Sequence, residues 1–127
     1  MSGDASRTVW IVEDERNISE AIRFILERDG WLVSLNDTGA GVVEALREAP
    51  PALVILDVML PAVSGLDILQ ALRAHERTAG VPVIMLTARG QADLRDRVLA
   101  EGASAFVAKP FSNAALRDLV RDLAGRR

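Results

Sequence analysis

Five polar side chains of this sequence stand at the ends of short apolar runs: Glu13, Asp14, Asp57, Thr87 and Lys109. Three carboxylates held close together would repel one another and bind protons more tightly, and a divalent cation such as Mg²⁺ would remove that penalty. An aspartate beside Mg²⁺ can attack a phosphoryl group and become an aspartyl phosphate. The ammonium and the hydroxyl could then stabilise the charge on the transferred group.

The chain alternates between apolar runs, predicted as buried strands, and amphipathic segments, predicted as helices. The predicted strands cover residues 9–12, 31–35, 52–56, 83–86 and 105–108. The predicted helices have apolar stripes that begin at Ile18, Val42, Leu66, Leu94 and Leu116. Gly30 is expected to end the first helix, and Pro50-Pro51 prevents the second from continuing. The mixed composition of residues 31–35 predicts an edge strand.

Strict alternation of strands and helices predicts an α/β fold, a doubly wound (βα)5 arrangement with a five-stranded parallel sheet in the flavodoxin-like order 2-1-3-4-5. The length of 127 residues predicts one domain, residues 1–127, with a core of about 7–124. Ligands bind such sheets at the carboxyl ends of the strands, where the strand order reverses. Taken singly, each of the five polar residues is more often an ordinary surface or strand residue. The site prediction therefore depends on all five falling at strand ends.

The composition excludes several classes of function. Fifteen Lys and Arg against 18 Asp and Glu give a formal charge of −3, which provides no whole-molecule attraction for nucleic acid. The chain has no cysteine and therefore no disulfide framework or thiol chemistry. No run is long and apolar enough to suggest a signal peptide or a membrane span. A cytoplasmic protein is expected.

The chain resembles the receiver domains of bacterial two-component response regulators over nearly its whole length. The motifs that carry the resemblance are Val12-Glu13-Asp14-Glu15, Leu56-Asp57-Val58-Met59-Leu60-Pro61, Gly65, Leu86-Thr87-Ala88 and Lys109-Pro110-Phe111. The resemblance implies a signalling phosphoacceptor that takes a phosphoryl group from a histidine kinase or an acyl phosphate. It implies no enzyme activity beyond autophosphorylation and autodephosphorylation.

The resemblance also implies the roles of individual residues. Asp57 is the phosphoacceptor, and Mg²⁺ is bound by Glu13, Asp14, Asp57 and the backbone carbonyl of Met59. The catalytic residues are Asp57, Thr87 and Lys109. The acid pair is Glu-Asp where the family often has Asp-Asp, and this variant leaves the metal prediction in place.

A second group of roles concerns the switch and its lifetime. Thr87 is the hydroxyl residue and forms the conformational switch with Phe106, which stands where tyrosine is frequent. Met59 and Arg89 flank the path of the hydrolytic water and are expected to modulate the dephosphorylation rate. The peptide bond before Pro110 is expected to be cis.

The expected partners are a sensor histidine kinase or phosphotransfer protein, and a downstream protein or fused effector domain. Direct nucleic-acid binding by this domain and a membrane location are not expected. A homodimer through the fourth helix, fifth strand and fifth helix is one use of the mixed charges on those helices, and ordinary solvated faces are the alternative. These charges are Asp93, Arg95, Asp96, Arg97, Arg117, Asp118, Arg121 and Asp122. A stand-alone protein and the receiver of a larger regulator both stay open.

Three other functions fit the sequence less well. A haloacid-dehalogenase-type phosphatase places a second acid two residues after its nucleophile, where this chain has Met59. A flavodoxin-like flavin carrier needs a loop rich in glycine and hydroxyl groups after the first strand, and Glu13-Asp14-Glu15 would repel a phosphate there. A pseudo-receiver that binds partners without phosphorylation would not need the complete set of five polar residues.

Overall fold

The computed structural model describes residues 7–88 and 93–124. Within these ranges, five parallel strands pair in the order β2-β1-β3-β4-β5. The strands are β1 (Thr8–Val12), β2 (Leu32–Asn36), β3 (Leu53–Asp57), β4 (Val83–Thr87) and β5 (Ala105–Ala108). The helices are α1 (Arg16–Arg28), α2 (Val42–Glu48), α3 (Gly65–Ala74), α4 (Leu94–Ala100) and α5 (Asn113–Ala124). The predicted doubly wound fold is confirmed.

The sheet has a separate hydrophobic core on each face. Successive side chains of a strand point to opposite faces, so Val9 and Ile11 pack with α1 and α5, whereas Val12 packs with α2, α3 and α4. The strands β3 and β4 are buried throughout because helices cover both of their faces. The edge strand β2 is partly exposed along its length, as its mixed composition predicts.

Gly30 ends α1, as predicted. Its φ of +95° lies in the left-handed region, which costs glycine little. The Gly30 amide donates to the Glu27 carbonyl and the Trp31 amide to the Leu26 carbonyl, each at 3.0 Å. This is the Schellman arrangement. Because the Trp31 amide is used in this cap, β2 begins at Leu32, one residue later than predicted.

The prolines act on the chain in two different ways. Helix α2 ends at Glu48, before Pro50-Pro51. Pro110 precedes α5, which begins at Asn113. None of the helices in the described residues is long and apolar enough to cross a lipid bilayer.

Candidate functional site

The sheet aligns the ends of its strands through backbone hydrogen bonds that continue past the last paired residues. The Glu13 amide donates to the Asn36 carbonyl at 3.0 Å, and the Lys109 amide donates to the Thr87 carbonyl at 2.8 Å. The two-residue alternation directs Glu13, Asp57 and Lys109 to the face covered by α1 and α5, and Thr87 to the opposite face. Strand ends and alternation together determine which polar groups meet.

The ammonium of Lys109 lies among carboxylates. Its Nζ is 2.8 Å from Glu13 Oε1 as an ion pair, and it donates hydrogen bonds to Asp57 Oδ2 at 3.1 Å and Glu15 Oε1 at 3.2 Å. Burial alone would lower the pKa of Lys109, but the hydrogen bonds and charges of Glu13 and Asp57 outweigh burial and raise it. Lys109 is therefore a permanent cation at the centre of the site.

Three carboxylates form the acidic part of the site. Oxygen atoms of Glu13, Asp14 and Asp57 lie within 4.8 Å of one another. The side chains of Glu13 and Asp57 are buried, whereas Asp14 is exposed. Burial raises the pKa of Glu13 to about 7, although hydrogen bonds from Lys109 and from the Glu15 amide act in the opposite direction. The site has too few cations to compensate its carboxylates.

These residues fit a hard divalent cation. The three carboxylates and the Lys109 ammonium together carry an excess of two negative charges when ionised. The donors are all oxygen atoms, which Mg²⁺ prefers. Asp14 opens onto a cleft of about 290 Å³, which leaves room for the water ligands that Mg²⁺ retains. Burial is the main cause of the raised pKa of Glu13, and the neighbouring charge of Asp57 adds to it.

Both oxygens of the Asp57 carboxylate are held. Oδ1 accepts a hydrogen bond from the Met59 amide at 3.1 Å, and Oδ2 accepts one from Lys109. The Met59 side chain is 63% exposed. The cis peptide bond before Pro110 is present, as the resemblance implies. Arg89 lies outside the described residues.

Thr87 is fully buried at the end of β4, and its hydroxyl has no hydrogen-bond partner within the described part of the chain. A buried polar group without a partner costs about 1–3 kcal/mol. Phe106 pairs in register with Met85 and packs, partly buried, on the same face of the sheet as Thr87. The hydroxyl is thus available for a new acceptor, and Phe106 lies on the side of the sheet where a movement of Thr87 would leave space.

An apolar groove borders the site on the α1 side. It has a volume of about 450 Å³ and is lined by Ile18, Ala21, Ala88, Pro110 and Phe111. Its polar lining residues are Glu15, Asn17, Lys109 and Asn113. The groove therefore connects the buried ammonium with solvent.

Glu15 and Gly65 also lie at the site, although the sequence motifs gave neither residue a role. Glu15 was noted only within a motif, and its contact with Lys109 joins residues 94 positions apart. Gly65 begins α3, and a Cβ atom there would lie 2.0 Å from the Asp57 carbonyl oxygen. A glycine at the first position of a predicted helix was a signal for close backbone approach.

A family model described as the response regulator receiver domain matches residues 9–121. The chain belongs to this family. The phosphate regulon transcriptional regulatory protein PhoB of Rhizobium meliloti (strain 1021) is 42% identical to this chain over 118 residues. These residues are 93% of this chain and 52% of that protein. The chain spans about half the length of the curated relatives it matches.

Solved receiver structures share the fold. One is the receiver domain of a sensor histidine kinase from Pseudomonas aeruginosa PAO1, crystallised with a magnesium ion coordinated in its active-site cleft. It has a TM-score of 0.85 and 28% identity, and the match covers 94% of this chain and 98% of that one. A response regulator receiver domain protein from Clostridium thermocellum has a TM-score of 0.83 and 28% identity, with 94% of each chain covered. The receiver domain described here is thus a signalling domain of two-component response regulators.

Proposed function

We propose that Asp57 accepts a phosphoryl group in a Mg²⁺-dependent reaction, and that the whole of residues 1–127 forms one receiver domain. The observation that carries this proposal is the Lys109 ammonium held between the buried carboxylates of Asp57 and Glu13. The donor would be a sensor histidine kinase, a phosphotransfer protein or an acyl phosphate. A donor protein seated in the apolar groove would lie directly beside Lys109.

The charge and position of each site residue determine its role in the reaction. Glu13, Asp14, Asp57 and the Met59 carbonyl would hold Mg²⁺, which when bound supplies positive charge beside the transferred oxygens. An oxygen of Asp57 forms the new bond to phosphorus as the bond to the leaving group breaks. Lys109 exchanges a carboxylate contact for a phosphoryl oxygen, so its charge follows the charge that is transferred.

The switch follows from the unpartnered hydroxyl of Thr87. A phosphoryl oxygen on Asp57 would accept a hydrogen bond from that hydroxyl. The resulting movement of Thr87 would leave space on the face where Phe106 packs. Phenylalanine has no phenol hydroxyl that would need a partner on moving inward. Phosphorylation would in this way change the surface around β5 and control a downstream protein or a fused effector domain.

The test of the proposed function is intact mass after incubation with acetyl phosphate, with and without Mg²⁺. We expect the wild type to gain the mass of one phosphoryl group only when Mg²⁺ is present. Asp57→Asn should gain none. Asp67→Asn, which removes an exposed carboxylate from the first turn of α3, is the matched control and should behave as the wild type. Equal labelling of Asp57→Asn and the wild type would refute the assignment.

A homodimer through α4, β5 and α5 is a further proposal. One of the charged residues predicted for it, Arg121, has a hydrogen-bond partner within the chain. Arg121 donates through Nε to Oδ2 of Asp29, the residue that follows α1, at 2.8 Å, so it is engaged within the chain. The exposed charges near and on α4 are Asp93, Arg95, Asp96 and Arg97. Sedimentation with and without beryllofluoride measures this association.

A cytoplasmic location is proposed because the phosphodonors named above are cytoplasmic in two-component systems.

A further inference from the structure

The carboxylate of Glu15 occupies the entrance to the site. Its Oε1 lies 3.2 Å from Lys109 Nζ, and its side chain is 56% exposed. The two other carboxylates that contact Lys109, on Glu13 and Asp57, have side chains only 0% and 6% exposed. Glu15 also lines the apolar groove. A donor that approaches Lys109 through this groove therefore passes beside the Glu15 carboxylate first.

The backbone holds Glu15 in this place. Its amide donates to Glu13 Oε2 at 3.0 Å, and its carbonyl accepts hydrogen bonds from the amides of Ile18 and Ser19 at the start of α1. The residue is thus fixed at the N-cap position of α1.

We infer that Glu15 is a specificity-determining residue of the receiver domain, which disfavours small phosphodonors according to their negative charge. This inference rests on the proposed function. The ionised carboxylates of Glu13, Asp14, Glu15 and Asp57 carry four negative charges. The Lys109 ammonium and a bound Mg²⁺ carry three positive charges, so one negative charge is left in excess. A dianionic donor such as acetyl phosphate experiences twice the repulsion of a monoanionic one such as phosphoramidate. A donor protein that fills the apolar groove gains contacts that offset this repulsion.

Both small donors deliver the same group to the same oxygen. With acetyl phosphate, an Asp57 oxygen bonds to phosphorus, and the phosphorus–oxygen bond breaks as acetate leaves with the electron pair. With phosphoramidate, the phosphorus–nitrogen bond breaks and ammonia leaves with the protons that its nitrogen already carries. Neither reaction needs a further reactant. The two donors therefore differ at the entrance chiefly in net charge.

The experiment compares wild type, Glu15→Gln and Glu27→Gln at saturating Mg²⁺. Glutamine keeps an oxygen that can accept from Lys109, so Glu15→Gln removes charge and preserves shape. Glu27 is exposed on the same helix, twelve positions further along, and its variant removes one charge far from the entrance. Phosphorylation is followed by intact mass with each donor at low and high salt.

The expected change is about two- to four-fold per unit of donor charge at moderate salt, from Coulomb interaction at roughly 5 Å in a watery entrance with screening. Glu15→Gln should therefore accelerate reaction with acetyl phosphate more than reaction with phosphoramidate, and high salt should reduce the difference. The same substitution should weaken Mg²⁺ binding, measured by thermal shift without donor, because a cation is attracted by the charge that repels the donor. Glu27→Gln should change none of these quantities.

Three outcomes would overturn the inference. An unchanged ratio of the two donor rates in Glu15→Gln would show that the carboxylate does not act on donor charge. Equal slowing with both donors would show that Glu15 only positions Lys109. An equal change in Glu27→Gln would show a general charge effect. Failure of the wild type to accept a phosphoryl group from either small donor and from a sensor histidine kinase would instead refute the proposed function itself.

Discussion

Replacement of Gly65 by alanine tests how closely the start of α3 must approach the phosphoacceptor. The Gly65 amide donates to the Val58 carbonyl at 2.9 Å, which draws the helix onto the end of β3. A Cβ atom on residue 65 would lie 2.0 Å from the Asp57 carbonyl oxygen and 2.9 Å from Val58 Cα. These are backbone atoms, so no side-chain rotation relieves the contact. The main chain at Asp57 and the helix must separate by about 1.4 Å to reach van der Waals distance.

The free energy of unfolding should fall. Overpacking of this kind costs about 1–3 kcal/mol, and the lower entropy of the unfolded chain with alanine returns only about 0.4–1 kcal/mol. For a domain of this size the net loss lowers Tm by roughly 3–10 °C. Because the displaced atoms belong to Asp57, the phosphorylation rate should fall further than the loss of folded protein explains, by up to about 100-fold for a 1 Å misplacement.

Gly80→Ala is the matched control. Gly80 is exposed, its φ is not in the left-handed region, and a Cβ atom there would meet nothing within 4 Å. We expect its Tm to equal or slightly exceed that of the wild type. The measurements are urea unfolding and intact-mass kinetics with acetyl phosphate, at a temperature where both variants are folded. A Gly65→Ala variant as stable and as fast as Gly80→Ala would refute the proposed role of the close approach.

Three further predictions concern the metal, pH and phosphoryl lifetime. Mg²⁺ should raise Tm by mass action, with about 2.7 kcal/mol of stabilisation at 100 times Kd, and Asp14→Asn should lose most of this rise; a larger rise in the variant than in the wild type would contradict the metal site. The hydrogen bond and charge of Arg121 lower the pKa of Asp29 from 3.8, so this pair stabilises the fold above that pH and loses its effect as pH falls through the folded pKa. Asp29→Asn should therefore be less stable than wild type in urea at pH 6, and this difference should shrink as the pH falls below 3.8; a constant difference would exclude the pair as the cause. The apolar Met59 and the cationic Arg89 are expected to hinder the hydrolytic water, so Met59→Asn combined with Arg89→Glu should lose phosphate faster than wild type, whereas an unchanged rate would show that they do not gate it.

The order of the fold was predictable because its signals are local. Short apolar runs, helical stripes and turn residues each act within a few positions, and their alternation leaves few topologies for a parallel sheet. The prediction erred only at element ends: β2 starts after Trp31, and β3 and β4 include Asp57 and Thr87. Such ends depend on individual caps and ladder hydrogen bonds.

The sequence by itself determined which polar groups stand at the carboxyl ends of the strands. The structure decided that Glu13, Asp57 and Lys109 share a face, because it shows which residues of each strand pack against α1 and α5. Only the tertiary structure decided that Lys109 also contacts Glu15 and that Arg121 contacts Asp29 at the end of α1. These contacts join residues 92 and 94 positions apart. They depend on strand register, helix placement and side-chain rotamers, which no local pattern of residues specifies.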